Sequence, residues 1–331
     1  MRIGIIHNLA KKCFIGPSTD LLSDVEMEVV PQLAAEELSR RGHSISLIQA
    51  DWNLITSCRD ANITIALNLA EGFEEYNSHE HLVPCLLEYG RIPYTGADPT
   101  NMLLVRDKLL TKHIIQATGV QTPKFHLFST INVDKPVGLS YPMILKPVRE
   151  EASIGITYES VVFDDVALKY RVRQLYVTYQ QPVLAEEYIV GREISVGVWG
   201  NSDPTTLPPC EFLFKQESPF HKFRSFEHKW HGPRESMVLT NDIDQSTICR
   251  LNEIAISAHT ILGCRDYSRV DFRLSTAGQI YFLEHNFNPG IGPNIHGLCN
   301  TFTMMAEYAG ISFGDMLEKI IAIACKRNGI A

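Results

Sequence analysis

Near its C-terminal end the chain reads Arg269-Val270-Asp271-Phe272-Arg273. A turn at Ser275–Gly278 follows, then Ile280-Tyr281-Phe282-Leu283-Glu284-His285-Asn286 and Phe287-Asn288-Pro289-Gly290. Two apolar runs on either side of a Gly-bearing turn predict a β-hairpin. Side chains alternate across a strand, so Asp271 shares a face with Arg269, and Glu284 shares one with Asn286. If the strands pair in register, one surface carries two carboxylates, an amide oxygen and a guanidinium. Oxygen donors of this kind suit Mg²⁺, which takes one or two carboxylates together with substrate phosphates. Taken alone, the hairpin also reads as a solvated face closed by an Asp–Arg pair.

The rest of the chain must position that surface. Its 331 residues suffice for two or three domains with cores of their own. Apolar residues at 45% and charged residues at 21% are ordinary globular values, which excludes a disordered chain. A net charge of -8 argues against a general binder of nucleic acid or of a membrane surface, because either polyanion would be repelled. An anionic nucleotide would need a local cluster of Lys and Arg. The eight cysteines form no Cys-x-x-Cys pair and no zinc spacing, so they read as buried thiols of a reducing compartment. MRIGIIHNLA lacks the apolar region of a signal peptide, and no apolar run approaches the ~18 residues of a membrane span. A soluble, cytoplasmic protein is expected.

Strand and helix patterns alternate over residues 1–100, predicting a parallel, layered α/β domain. Strands are expected at Arg2–Ile6, Ser44–Gln49, Ile63–Leu67 and Ile92–Thr95. Helices are expected at Val29–Arg40 and at His81–Tyr89, the latter stopped by Gly90. No Gly-x-Gly-x-x-Gly follows the first strand and no Walker-type loop occurs, so the common dinucleotide and P-loop readings lose support. Asp107 is an N-cap for a helix that Gly119 closes. A β-rich stretch follows, with strands at Lys124–Phe128, Met143–Pro147, Ile154–Tyr158, Val183–Tyr188 and Glu193–Trp199, and a helix over Val166–Tyr179. Residues 201–331 return to mixed α/β and end in a helix over Phe313–Cys325. Soft boundaries near 100 and 200 divide the chain into 1–100, 101–200 and 201–331.

Further residues fall in order along this frame. Lys108 opens the helix after the first domain, and Lys146 ends an apolar strand. A small-residue loop, Arg149–Gly155, comes next, then the acidic pair Glu186-Glu187 and the run Gly191-Arg192-Glu193. Alone, Lys146 is a strand-end charge and the acidic pair is edge polarity. In sequence, NLAEG at Asn68–Gly72, IPYTGADP at Ile92–Pro99, DKLLTK at Asp107–Lys112, LKPVREEASIG at Leu145–Gly155, EEYIVGREISV at Glu186–Val196, RVDFR and LEHNFNPG span nearly the whole chain. Together they resemble the ATP-grasp superfamily, and within it the D-alanine–D-alanine ligase family.

The resemblance implies an α/β architecture in which an N-terminal parallel domain precedes two α+β subdomains that clamp ATP. Lys108 and Lys146 would reach the α- and β-phosphates, neutralising charge that an acidic protein repels. Glu186 would accept from the adenine amino group, with the backbone of Glu187 to Ile189 completing the hinge, and Glu193 would bind the ribose hydroxyls. Asp271, Glu284 and Asn286 would hold two Mg²⁺ ions, with Mn²⁺ an acceptable substitute. Lys229, in a polar stretch without period, would swing onto the γ-phosphate, and Ser153 would lie in the loop over the phosphates. A carboxylate would attack the γ-phosphate and an amine would then attack the acyl phosphate. Arg269 and the Gly290 N–H would stabilise the oxyanion. A homodimer is implied by resemblance only.

Departures from the family fall on the substrate side. Asp24 and Glu26 lie where an ammonium-binding Glu is common, and Asn68 replaces a common His. Glu150-Glu151-Ala152-Ser153 has one hydroxyl fewer than the usual Glu-Gly-Ser-Ser, and Trp230 stands for the lid Tyr. Gly292-Pro293-Asn294-Ile295-His296 replaces a Ser-Leu, which makes Asn294 and His296 candidates for a changed second site. The expectation is an ATP-dependent carboxylate–amine ligase whose substrates are not both D-alanine. The competing readings are a D-alanine–D-alanine ligase proper, the same chemistry recruited to a specialised amide, and a catalytically silent nucleotide binder.

Overall fold

The first strand, β1 (Arg2–His7), buries Ile3, Ile5 and Ile6 completely, so both of its faces must be covered, the situation of a central parallel strand. It pairs in parallel with β2 (Ser44–Gln49) on one side and β3 (Ile65–Asn68) on the other. The crossover helices are α1 (Asp24–Arg40) and α2 (Leu54–Asp60), and α3 (Leu82–Gly90) follows. The computed structural model describes residues 1–8, 24–74, 76, 79–215, 218–226, 236–240, 242–294 and 300–330, with backbone only at 24–27 and 236. Helix α1 begins earlier than the pattern from Val29 suggests and accommodates Pro31 within it. The stop of α3 passes from Gly90, its last residue, to Arg91, which takes the left-handed conformation at φ 56°. The expected strand at Ile92–Thr95 is reduced to a single bridge between Tyr94 and Ala66.

Two short helices come next, α4 (Pro99–Arg106) and α5 (Lys108–Ala117). The Asp98 carboxylate caps α4 by accepting from Asn101 N, and Asp107 caps α5 by accepting from Leu109 N and Leu110 N. A four-stranded antiparallel sheet then forms from β4 (Phe125–Phe128), β5 (Met143–Pro147), β6 (Val161–Val162) and β7 (Val183–Glu187), in the order β4-β7-β5-β6. Helix α6 (Asp165–Tyr179) covers it through Leu168, Val172 and Leu175, against Met143 and Leu145. The expected strand at Ile154–Tyr158 is absent. Ser153 and Gly155 have positive φ there, which breaks a strand, and the segment ends in a 3-10 turn at Tyr158–Ser160.

A larger antiparallel sheet runs β11-β10-β8-β12-β13, with β9 on the side of β8. Its strands are β8 (Gly191–Trp199), β9 (Thr205–Thr206), β10 (Cys210–Leu213), β11 (Ser236–Leu239), β12 (Tyr267–Ser275) and β13 (Ile280–Asn286). Because β8 pairs along its length with β12, the change from one sheet to the other falls near residue 190 and not near 200. Helices α4 and α5 and α7 (Gln245–Ile261) cover one face of this sheet through Ile194, Val196, Val270 and Phe272. On the opposite face the alternation brings up Glu193, Ser195, Arg269, Asp271 and Arg273, a polar row that must face a cleft. Helices α8 (Thr301–Tyr308) and α9 (Phe313–Arg327) join this sheet to the N-terminal one in a shared core that includes Ile3, Ile5, Trp199, Phe302 and Ile320.

One buried anion ties these parts together. Asp266, 0% exposed, accepts from Arg327 Nε at 3.0 Å and Nη2 at 2.8 Å, from Gly96 N at 2.8 Å and from Asn201 Nδ2 at 2.9 Å. Arg327 also reaches the Tyr94 carbonyl at 2.7 Å. Removing the cation leaves the carboxylate buried with neutral donors only, which costs about 3 kcal/mol. Arg327→Leu is therefore expected to lower the unfolding free energy by that amount in urea denaturation. A loss below about 1 kcal/mol would show that the clamp is not essential.

Candidate active site

The polar row of the large sheet, the loop after β5 and the hinge after β7 enclose a cleft of about 270 Å³. Strand register assembles its floor. Arg269 lies opposite Asn286 and Asp271 opposite Glu284 across the hairpin, with a bulge between Asp271 and Phe272. On its other side Asp271 faces Ser195 on β8, and Arg273 faces Glu193. Asp271 accepts from Arg269 Nε at 2.9 Å and Nη2 at 2.8 Å, from Ser195 Oγ at 2.6 Å and from Asn286 Nδ2 at 2.9 Å. Burial pushes this carboxyl up, but Arg269 and the hydroxyl of Ser195 outweigh burial and hold it below the usual range. The three oxygen ligands expected from the sequence thus lie on one wall. Because Asn286 donates through Nδ2, its Oδ1 remains available as a donor to a cation.

The opposite wall carries the cations. Lys146, at the end of β5, pairs with Glu186 Oε1 at 2.8 Å, and Lys112 of α5 pairs with the same oxygen at 3.1 Å. Lys112 also donates to the Leu283 carbonyl at 2.9 Å and is 0% exposed. Burial holds its pKa down to about 8, against the pull of Glu186. Lys108 donates to the Glu150 carbonyl, and burial lowers its pKa too. Glu186 was expected to meet an adenine amino group; it lines the cleft, but as the anion between two lysines. At the hinge the Glu187 and Tyr188 N–H groups are taken by Lys124 O and Pro142 O, which leaves the Ile189 N–H unused by the sheets. Glu193 accepts from Arg273 Nη1 at 3.0 Å, and Arg273 further binds Tyr188 Oη, Ile189 O and Lys222 O.

The loop after β5 holds two non-glycine residues in the left-handed region. Ala152 and Ser153 have φ 53° and 63°, and Ser153 Oγ donates to the Arg224 carbonyl at 2.9 Å. Phe226 N donates to Ile156 O at 2.6 Å, so residues 218–226 lie directly against this loop. Gly290 leads out of the hairpin, where a Cβ would come within 2.4 Å of Asn300 Oδ1. Two acids that sequence reasoning passed over, Glu80 and Glu151, also line the cleft. Burial and the charges of Glu151 and Glu71 push the Glu80 carboxyl well above its ordinary value. Burial raises Glu151, with Arg106 and Lys108 opposing.

Of the remaining sequence candidates, Lys229, Trp230 and His296 lie outside the described residues. Asp24 and Glu26 fall in the first turns of α1, with their side chains also outside them. Asn68 is buried beside the cleft, lining a smaller cavity. Asn294 is not among the described lining of either cavity; its Nδ2 donates to Glu307 at 2.9 Å and its Oδ1 accepts from Asn300 N at 3.0 Å. The residues that reach the cleft from that side are Asn300 and Thr301, at the start of α8. Simple spacing could have found several of the others. Lys112 follows Lys108 by four residues on one helix face, Ser195 follows Glu193 by two, and Arg273 follows Asp271 by two.

Comparison with known proteins shows the family. The family model for the D-ala D-ala ligase C-terminus matches residues 114–322. The uncharacterized protein y4sG of Sinorhizobium fredii is 30% identical over 306 residues, covering 88% of this chain and 87% of its own. A D-alanine–D-alanine ligase of Carboxydothermus hydrogenoformans is 30% identical over 295 residues, covering 86% and 89%. Among solved structures, D-alanine–D-alanine ligase from Bacillus anthracis complexed with ATP has a TM-score of 0.77 at 21% identity, covering 99% of both chains. VanG D-Ala:D-Ser ligase from Enterococcus faecalis has a TM-score of 0.72 at 20% identity, covering 98% and 99%. At such identities the structural likeness establishes the fold alone.

Lys112 supplies a pH test. Its folded pKa of about 8 lies below the unfolded value of 10.5, so the folded chain gives up this proton first. The buried charge costs stability below pH 8, and that cost disappears as pH rises from about 8 to 10.5. Over the same rise the cleft becomes more negative by one charge. The KM for an anionic nucleotide is expected to climb above pH 8 in the wild type and to lose that limb in Lys112→Met. An identical alkaline limb in the variant would assign the titration elsewhere.

Proposed function

The chain belongs to the D-alanine–D-alanine ligase family and is an ATP-dependent carboxylate–amine ligase of ATP-grasp fold, and we propose that its acyl and amine substrates, joined through an acyl phosphate, are not both D-alanine. The observation that supports this reading is one cleft lined by Lys108 and Lys146 and by the oxygen donors Asp271, Glu284 and Asn286. An acidic protein repels a triphosphate everywhere except where buried cations are concentrated. Lys108 and Lys146 take the phosphates, and Lys112 keeps Glu186 ionised and fixed beside them. The hinge N–H of Ile189 and the carboxylate of Glu193, held by Arg273, orient the nucleoside. Asp271, Glu284 and the Asn286 amide oxygen form a hard donor set of the kind Mg²⁺ requires. When bound, the ion neutralises charge on the β- and γ-phosphates.

Chemistry then proceeds in two displacements. The carboxylate of the first substrate attacks the γ-phosphorus, breaking the bond to ADP and forming an acyl phosphate. The amine of the second attacks the acyl carbon; phosphate leaves with the bonding pair and the amine gives up a proton. Arg269 uses Nε and Nη2 on Asp271, so Nη1 is left to meet the oxyanion alongside the Gly290 N–H. That charge exists only near the transition state, which is where such donors accelerate the step. Acyl phosphates hydrolyse, so water must be kept out. The bonds Ser153–Arg224 and Phe226–Ile156 join the two loops that cover the phosphates.

Purified protein with ATP, Mg²⁺ and pairs drawn from an amino-acid panel is expected to release ADP only when an acyl and an amine partner are both present. Asp271→Asn should reduce that rate by about 10²-fold or more, and Lys146→Met should raise the KM for ATP about tenfold. D-alanine alone supporting the fastest rate in the panel would refute the claim on substrates. A panel without any ADP release, from folded protein that binds MgATP, would refute the ligase reading itself.

A further inference from the structure

A set of carboxamides occupies the carboxyl ends of β1 and β3, the edge where open α/β sheets receive ligands. Asn8 Oδ1 accepts the Glu71 N–H at 2.8 Å, Asn68 Oδ1 accepts the Ala70 N–H at 3.3 Å, and Asn288 Oδ1 accepts the Ala97 N–H at 3.1 Å. Each bond decides which end of the amide faces the backbone, so each Nδ2 is turned the other way. The Asn288 Nδ2 is enclosed and has no hydrogen-bond partner in the protein. The Nδ2 atoms of Asn68 and Asn300 are enclosed and bind nothing in the protein, although the two residues are only 2% and 5% exposed. A native fold rarely leaves such donors unmet without a ligand or water to receive them.

Asn68, Asn288 and Asn300 line one cavity of about 30 Å³. It shares Gly290, Asn300 and Glu71 with the main cleft and so forms an annex to it. That space is enough to admit one water-sized group such as a single oxygen atom. Val30, Pro31, Leu69 and Ile291 add apolar surface, and the Tyr267 phenol also lines the annex. Among the described residues no Lys or Arg lines the annex, while the carboxylate-bearing Glu71 does. Among the described residues an anionic oxygen buried there would meet no counter-charge and would stand next to an acid. A neutral carbonyl oxygen, with two lone pairs, accepts both N–H groups without that penalty.

We infer that the annex is a specificity subsite for the uncharged carbonyl oxygen of the amine substrate, so that the enzyme selects an α-amino amide over the corresponding free amino acid. In such a compound the carbonyl carbon is one atom removed from the nucleophilic nitrogen. An amine poised beside Gly290 therefore brings its carbonyl oxygen toward Asn300 and Asn68. This inference rests on the ligase reading for the position of the amine, and its test is built so that the two can fail separately.

The probes are alaninamide and alanine, each as both enantiomers, titrated calorimetrically into the protein saturated with Mg²⁺ and a non-hydrolysable ATP analogue. Alaninamide is expected to bind at least about tenfold more tightly than alanine of the same hand. Asn300→Asp and Asn68→Asp each keep the side-chain size and replace the Nδ2 donor with an oxygen, and each should cancel the preference by about tenfold. Two substitutions keep the test intact if one fails to fold. Equal or tighter binding of alanine, no binding of either probe, or a preference that survives both variants would overturn the inference. The last result would leave the annex holding a structural water only. Release of ADP with the panel but without amide preference sinks the annex and leaves the ligase standing. Amide preference in binding without ADP release under any condition does the reverse.

Discussion

The site is organised around the Asp271 carboxylate, which three adjacent strands hold at once. Arg269 grips it from its own strand, Ser195 reaches it from β8, and Asn286 reaches it from β13. A buried carboxylate without such partners would take up a proton and lose its value as a ligand. Here the same contacts that keep it ionised fix the orientation of the guanidinium and of the amide. A slip of one residue on either side would turn those groups into the apolar core under α7. Register is therefore the constraint from which the rest of the cleft follows.

A second constraint is electrostatic. The chain carries a net charge of -8, yet its cleft must accept a polyanion. The fold resolves this by burying cations in the small sheet and the preceding helix, where low dielectric strengthens their field. Glu186 sits between Lys112 and Lys146 and keeps those charges in place. The acids Glu80 and Glu151 line the same space, and burial there raises both carboxyls. Arg273 links the segment after β7, the acid on β8 and the segment at 218–226, binding Ile189, Glu193 and Lys222 at once. Movement of the segment at 218–226 would be felt at Glu193 through that one side chain.

The two ends of the chain meet across the same architecture. Asp266 and Arg327 close the C-terminal helix onto the loop at Tyr94–Gly96, and a shared core joins both sheets. The N-terminal sheet thereby presents Asn8 and Asn68 to the exit of the hairpin at Asn288 and Gly290. The carboxamide annex exists only because those strands, far apart in sequence, end at the same place.

Local chemistry made much of this legible in the chain itself. Alternation along β12 and β13 identified the face shared by Asp271, Glu284 and Asn286, and Asp107 announced its helix, because both depend on neighbours two to four residues apart. The strand expected at Ile154–Tyr158 failed for a local reason that side-chain pattern does not express, the positive φ of residues 152, 153 and 155. Other features were beyond any local pattern. Nothing near Asn294 signals that Glu307 and Asn300 absorb its amide, nor that Asn300 and Thr301 take its place at the cleft. The lysine pair on Glu186, the bracing by Arg273 and the enclosed amides of Asn68 and Asn300 join residues separated by tens to hundreds of positions. Periodicity reports which face a residue occupies. What lies against that face depends on how sheets stack, and burial, pKa and hydrogen-bond partners are set only there.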